Sequence, residues 1–110
     1  MLVSAIADEG MEPIPALDGR HALRTALAVE PSAIVLDLML PGISGQDFAR
    51  AYHKRSHGDA PIVVVSARPD AERIGKQIGA QAVVRKPFDI AELVARLRTT
   101  MHNDRRIARA

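Results

Sequence analysis

Three residues with side chains suited to phosphoryl chemistry, Asp37, Ser66 and Lys86, each follow an apolar run in this 110-residue sequence. A carboxylate can attack a phosphoryl group and form an acyl phosphate. A hydroxyl can hydrogen-bond one phosphoryl oxygen, and an ammonium group can pair with another. A divalent cation, normally Mg²⁺, would bridge the carboxylate and the phosphoryl oxygens. The three side-chain types together therefore indicate a site for phosphoryl transfer, which depends mostly on placement and charge neutralisation.

Each of these residues also has a purely structural interpretation when it is taken alone. Asp37 can simply open the turn at Pro41 and Gly42, as aspartate often does. Ser66 can be a serine that ends a strand, and Lys86 a solvated loop lysine. The functional interpretation depends on their common position at strand ends. Parallel strands direct their carboxyl ends to one edge of a sheet, where open α/β sheets bind ligands, so we expect the three residues to converge there.

The predicted strands are two strongly apolar segments and one shorter segment. Residues 33–37 and 61–66 lack polar–apolar alternation, which is typical of strands buried on both faces of a parallel sheet. Residues 81–85 predict the third strand, and Gly79 is expected to stop the helix before it. Helical patterns cover residues 18–29, residues 44 to the polar run at 54–59, residues 68–78 and residues 89–101. This alternation predicts an α/β fold with right-handed parallel βαβ units.

Capping residues and apolar stripes support three of these helices. Asp18 is the expected N-cap of the first. Ser44 with Asp47, and Asp89 with Glu92, are spaced as capping-box-like pairs. The apolar residues at helical spacing are Ala22, Leu23, Ala26 and Leu27 in the first helix, Phe48, Ala51 and Tyr52 in the second, and Ile90, Leu93, Val94, Leu97 and Met101 in the last.

The residues before Asp18 leave two arrangements open. Residues 2–9 match the last turns of an amphipathic helix that ends at Gly10, and residues 11–15, which hold two prolines, can form only an edge strand. Alternatively, residues 2–7 form a strand that is hairpinned to residues 11–15.

The composition predicts one globular domain over residues 1–102, followed by a basic tail at 103–110. Hydrophobic residues make up 47% and charged residues 25% of the chain. The absence of cysteine excludes disulfides, thiolate zinc sites and cysteine nucleophiles. No apolar run has membrane-spanning length and no signal sequence opens the chain, so we expect no membrane partner and a cytoplasmic location. Despite the net charge of +2, the aromatic content of 3% offers no stacking platform, so direct nucleic-acid binding is not expected.

Five segments occur in a specific order over nearly the whole chain: Ala-Leu-Asp18-Gly-Arg-His-Ala-Leu, Ile-Val-Leu-Asp37-Leu-Met-Leu-Pro-Gly-Ile-Ser-Gly, Ile-Val-Val-Val-Ser66-Ala, Gly79-Ala and Lys86-Pro-Phe. In this order and spacing they resemble the receiver domain of bacterial two-component response regulators. The resemblance implies a flavodoxin-like (CheY-like) doubly wound parallel sheet with helices on both faces.

The resemblance also implies roles for the three candidate residues. Asp37 would be the phosphoacceptor, Ser66 the switch hydroxyl and Lys86 the residue that contacts the phosphoryl group. Asp37 and the backbone carbonyl of Met39 would be Mg²⁺ ligands, and Lys86–Pro87 a cis peptide bond. The donor would be the phosphohistidine of a sensor histidine kinase or a phosphotransfer protein, and the output a downstream protein partner or self-association. Such a domain is not an enzyme beyond its own phosphorylation and dephosphorylation.

Two features depart from the family pattern. Receiver domains begin with a strand that ends in an acidic pair, which holds the Mg²⁺, whereas this chain starts inside the first helix. Asp8 and Glu9 match the end of that helix and do not replace the pair, so we expect weak Mg²⁺ binding and a sheet without its usual first strand. An internal start at Met1, a shortened chain, a second chain or a rearranged N-terminus would each account for this. Val83 stands where the family usually has Tyr or Phe, so we expect a weaker or different transmission of the signal.

Two alternative functions follow from these features. A pseudo-receiver would share the fold but act only as a protein-interaction module without phosphorylation, and the missing acids favour it. An aspartate-nucleophile phosphatase of the haloacid-dehalogenase type needs a second acid two residues after the nucleophile. That position holds Met39, so we reject the phosphatase.

Overall fold

A computed structural model describes residues 14, 16, 18–39, 41–56 and 60–101. Three parallel strands form a sheet in the order β1-β2-β3, with β1 at Ile34–Asp37, β2 at Ile62–Ser66 and β3 at Ala82–Arg85. The helices alternate with them: α1 (Gly19–Val29), α2 (Gly45–Arg55), α3 (Ala71–Ile78) and α4 (Ile90–Thr100). The predicted α/β fold and its parallel βαβ order are confirmed.

Alternate residues of β2 face two separate apolar cores. Val63 and Val65 pack in the core that includes the buried side of α4, and Ile62 and Val64 pack in the core that α1, α2 and α3 cover. Since all five residues of β2 are buried, this strand is covered on both faces. The described part of the molecule therefore has helices on both faces of the sheet, as predicted for a doubly wound fold.

The N-caps of the first two helices are confirmed, but the third predicted cap is only partly correct. Asp18 Oδ1 accepts from the His21 N–H at 2.8 Å, and Ser44 Oγ accepts from the Asp47 N–H at 3.0 Å. Asp89 occupies the N-cap position of α4, but its side chain accepts no capping hydrogen bond from the helix. Its backbone carbonyl accepts from the Glu92 N–H instead, at 3.0 Å. The predicted Asp89–Glu92 capping pair is therefore wrong.

Several boundaries differ from the prediction. α3 begins at Ala71 and not at Arg68, because the residue before Pro69 is disfavoured in the helical conformation. Gly79, with φ +73°, ends α3 as predicted. Each strand starts one residue later than expected. Ile90, the first residue of α4, is 38% exposed, so the buried stripe of α4 starts a turn later, at Leu93.

The remaining predictions lie outside the described residues. They concern the helix or strand at residues 2–9, the edge strand at 11–15 (of which Ile14 alone is described, without regular structure) and the basic tail at 103–110.

Candidate functional site

Asp37 and Lys86 meet at the carboxyl edge of the sheet. Asp37 is the last residue of β1, and Lys86 directly follows β3, so the two side chains reach toward each other past the end of β2. Lys86 Nζ donates to Asp37 Oδ2 at 2.9 Å, and the Met39 N–H donates to Asp37 Oδ1 at 2.8 Å. The side chain of Asp37 is 36% exposed and that of Lys86 is 38% exposed, so the pair is accessible from solvent. An anion that entered here would meet a carboxylate and an ammonium group already in contact.

Ser66 ends the strand between them and is fully buried. In the parallel register, Asp37 pairs with Val65, and Ser66 pairs with Arg85, which directly precedes Lys86. The Ser66 hydroxyl oxygen accepts from the Arg68 N–H at 2.9 Å, and its backbone carbonyl accepts from the Lys86 N–H at 3.0 Å. The structure therefore brings the three predicted strand ends to one edge, but the partner of the hydroxyl is the loop after β2.

The loop after β1 is seated on the first turn of α1. The Gly19 N–H donates to the Pro41 carbonyl at 2.7 Å. Gly42 has φ +109°, and a Cβ there would lie 3.0 Å from the Gly19 nitrogen, so both the backbone conformation and the close approach favour glycine. This contact holds the loop that starts at Asp37 and leaves Met39 66% exposed beside the carboxylate.

The described residues supply few ligands for a divalent cation. No group of three or more His, Cys, Asp or Glu side chains lies together within the described ranges. Both oxygens of Asp37 already accept hydrogen bonds, from Met39 and Lys86. Mg²⁺ takes six oxygen ligands in near-ideal octahedral geometry and gives up water reluctantly. One carboxylate and a backbone carbonyl do not make a complete protein site for this ion.

An ion-pair network next to the site was missed by the sequence analysis. Arg68 donates from Nε and Nη2 to the two carboxylate oxygens of Asp70, at 2.9 and 3.0 Å, and Arg73 donates to Asp70 Oδ2 at 2.9 Å. Arg85 Nη1 donates to Glu72 Oε1 at 2.9 Å and to the Arg68 carbonyl at 2.7 Å. In the sequence, the one feature that pointed to this network was the position of Arg85 at a strand end, one residue before Lys86.

The Arg68–Asp70 contact shifts the titration of both groups. The side-chain hydrogen bond from Arg68 is the main reason that the pKa of Asp70 lies below its ordinary value, and the charge of Arg68 acts in the same direction. The same hydrogen bond raises the pKa of Arg68. Both side chains are therefore charged at neutral pH and hold the loop between β2 and α3 together.

The chain is similar to a known family of proteins over most of its length. The family model of the response regulator receiver domain matches residues 1–98. The chain belongs to this family. It is therefore a non-enzymatic signalling module of two-component systems, a class of domain that interacts with histidine kinases and binds Mg²⁺.

Relatives in sequence include two mycobacterial regulatory proteins. The chain is 36% identical over 106 residues to the DNA-binding response regulator MtrA of Mycolicibacterium smegmatis, covering 94% of this chain and 46% of that protein. It is 39% identical over 94 residues to the transcriptional regulatory protein PrrA of Mycobacterium leprae, covering 84% of this chain and 40% of that protein. The chain thus spans less than half the length of these relatives.

Solved structures agree on the fold. The receiver domain of the sensor histidine kinase PA1611 from Pseudomonas aeruginosa, which has magnesium coordinated in its active site cleft, superposes with a TM-score of 0.81 at 26% identity, covering 90% of this chain and 84% of that one. The receiver domain of NtrX from Brucella abortus, at 24% identity, has a TM-score of 0.82 and covers 94% of this chain and 88% of that one.

No helix within the described ranges is long and apolar enough to cross a membrane.

Proposed function

We propose that this receiver domain accepts a phosphoryl group on Asp37 from the phosphohistidine of a sensor histidine kinase or a phosphotransfer protein. The observation that carries the proposal is the 2.9 Å contact between Lys86 Nζ and Asp37 Oδ2 at the carboxyl edge of the sheet. The contact presents an ammonium group beside the oxygens of the nucleophile. The presence of Ser66 at the end of the intervening strand adds the hydroxyl that such a site needs.

The transfer uses this chain's residues as follows. A carboxylate oxygen of Asp37 attacks phosphorus, a P–O bond forms, and the P–N bond to the imidazole breaks, with the leaving nitrogen keeping the bonding electrons and taking up a proton. Lys86 pairs with one phosphoryl oxygen. Ser66 donates its hydroxyl proton to another, and a turn of its side chain toward Asp37 would take the hydroxyl oxygen away from the Arg68 N–H. This change at the buried end of β2 is the proposed switch toward a downstream partner or self-association.

A pseudo-receiver that binds partners without phosphorylation is the second candidate. The shortage of metal ligands among the described residues favours it, since Asp37 is the only carboxylate that they place in this contact. The ion pair itself argues against it. A domain used only as a binding surface has no need to hold a lysine against a half-exposed aspartate at the end of a core strand.

Treatment with acetyl phosphate and Mg²⁺ distinguishes the two candidates. We expect intact-mass spectrometry to show one added phosphoryl group, and peptide mapping to place it on Asp37. Asp37→Asn should abolish the label, whereas Asp47→Asn, which changes an exposed aspartate on α2, should not. A label on another residue would contradict the assignment of Asp37. No label at all, at any Mg²⁺ concentration, would favour the pseudo-receiver.

A further inference from the structure

The hydroxyl oxygen of Ser66 accepts a hydrogen bond in the structure, and the residue that donates it is held in turn. Ser66 Oγ accepts from the Arg68 N–H at 2.9 Å. The carbonyl of Arg68 accepts from Arg85 Nη1 at 2.7 Å and from the Ala71 N–H at 3.2 Å. Both backbone groups of Arg68 are therefore bound, one to the end of β2 and the other to β3 and the first residue of α3. Movement of Arg68 away from Ser66 would therefore disturb its contact with Arg85.

Arg85 is the side chain that joins these elements. It is the last residue of β3 and pairs with Ser66 in the parallel register. Its Nη1 group also donates to Glu72 Oε1 at 2.9 Å, in the first turn of α3. One guanidinium nitrogen thus contacts both the loop after β2 and α3. The Ser66 hydroxyl and this nitrogen are thus connected through a single residue, Arg68.

Val83, the other β3 residue that faces α3, cannot take this role. A Cβ placed on Gly75 would lie 2.6 Å from Val83 Cγ2, so the valine is packed directly against the backbone of α3. Its branched side chain is stiff and has no polar group. Since the side chain of Arg85 is long, polar and half-exposed, it is the part of β3 that can exchange partners at low cost.

We infer that Arg85 is a positioning residue that holds Ser66 in its unphosphorylated arrangement and releases the loop after β2 when Asp37 is phosphorylated. The inference rests on the function proposed above. Arg85 stabilises the state in which the Arg68 N–H donates to Ser66 Oγ, so it opposes a turn of the Ser66 side chain toward the phosphoryl group. Its bond to Glu72 connects the same event to α3. Loss of Arg85 therefore makes Asp37 easier to phosphorylate.

Two measurements on the full 110-residue chain test this. The first is hydrogen exchange of the Arg68 amide without phosphoryl donor, and the second is the steady-state fraction of phosphorylated protein at limiting acetyl phosphate with Mg²⁺. Arg85→Ala should speed exchange at Arg68 by about fivefold, the effect of losing one typical hydrogen bond, and should raise the phosphorylated fraction. Arg85→Lys keeps the positive charge on a shorter side chain. Its exchange rate and its phosphorylated fraction should therefore lie between those of the native chain and Arg85→Ala.

Two further variants act as comparisons. Arg50→Ala removes an equally short exposed ion pair, Arg50–Asp47 at 2.7 Å on α2, and should change neither measurement. Glu72→Ala releases Arg85 from α3 but keeps its bond to Arg68, so it should shift both measurements in the direction of Arg85→Ala and by less.

Three results would contradict these expectations. Unchanged exchange at Arg68 in Arg85→Ala would show that Arg85 does not hold the loop. Faster exchange with an unchanged phosphorylated fraction would show that its role is structural only, and would overturn the inference. Absence of label in the native chain would contradict the proposed function, and the Arg68 amide would still show whether Arg85 holds the loop.

Discussion

The charged residues at the carboxyl edge differ in what their contacts can do. The Asp37–Lys86 pair is about one-third exposed, and a pair of this kind contributes little to the free energy of unfolding. In the proposed phosphoryl transfer its role would be positional, because it keeps the ammonium group beside the carboxylate that would be phosphorylated. Asp70, by contrast, accepts from both Arg68 and Arg73 and organises the loop that holds Ser66. In the proposed transfer the first set would take part in the chemistry, whereas the second holds the loop between β2 and α3 together.

The ionisation of Asp70 gives a pH dependence of known sign. Its pKa is lowered in the folded protein, mainly by the hydrogen bond from Arg68, so the folded state binds this proton more weakly than the unfolded state. The resulting stabilisation is complete above the ordinary aspartate pKa of about 3.9 and is lost as pH falls through the lower folded value. We expect Asp70→Asn to be slightly less stable than the native chain near neutral pH and equally stable at the acid end.

Urea denaturation at a series of pH values measures this difference. The same series in an Arg68→Gln background is the control, and the dependence on pH should be much smaller there because the main cause of the shift is gone. A destabilisation by Asp70→Asn that grows as pH falls would contradict the assigned sign.

Among the elements, α3 and β3 lie close together because Gly75 has no side chain. The apolar contact of Val83 with Gly75 allows the helix to approach the strand that precedes Lys86. The same approach brings Glu72, in the first turn of α3, within reach of Arg85. The separation of helix and strand therefore determines both the apolar packing and the polar contact at the edge of the sheet.

Gly75→Ala tests this packing. Alanine improves helix propensity by about 1 kcal/mol, but a methyl group 2.6 Å from Val83 Cγ2 forces a shift that typically costs about 1–3 kcal/mol. We expect a net loss of about 1 kcal/mol in the free energy of unfolding, measured with urea. In a Val83→Ala background the clash is removed, so Gly75→Ala should become neutral or stabilising. Equal effects in both backgrounds would show that the contact with Val83 is not the cause.

At the scale of the whole molecule, β1 forms one edge of the described sheet, and only one side of this strand is paired there. The Ile34 N–H donates to the carbonyl of Pro61, just before β2, and the Leu38 N–H donates to that of Val65 in β2. By the alternation of parallel strands, the backbone groups of Val35 therefore point away from β2. In the part of the chain that the structure describes, no strand lies on that side of β1. A strand edge that is unpaired among the described residues favours pairing with another segment or another chain.

We therefore expect the 110-residue chain to self-associate. Light scattering should give a mass above that of the 11.9 kDa monomer, with a dependence on concentration. On dilution, hydrogen exchange at the Val35 amide should accelerate, while the Leu36 amide, which faces β2, serves as the internal control. A monomer at all concentrations with Val35 protected as well as Leu36 would show that the edge is covered within one chain.

Much of the fold could be predicted because the information is local. An unbroken apolar run predicts a strand buried on both faces, as 62–66 is, and the short polar side chains of Asp18 and Ser44 cap helices by bonds to residues three positions later. The predicted start of α3 is wrong by three residues because Pro69 disfavours the helical conformation of Arg68, an effect that the apolar pattern does not include.

The amino-acid sequence by itself determined that Asp37, Ser66 and Lys86 lie at one edge, since any parallel arrangement of their strands has that result. Only the tertiary structure decided what each of them contacts. The Asp37–Lys86 bond joins residues 49 positions apart, and the Arg85–Arg68 bond joins residues 17 positions apart. Such contacts depend on the register between strands and on the directions of long side chains, which no local pattern encodes. For this reason the sequence predicts the three residues at the strand ends, whereas the contacts of Arg85 are evident only in the fold.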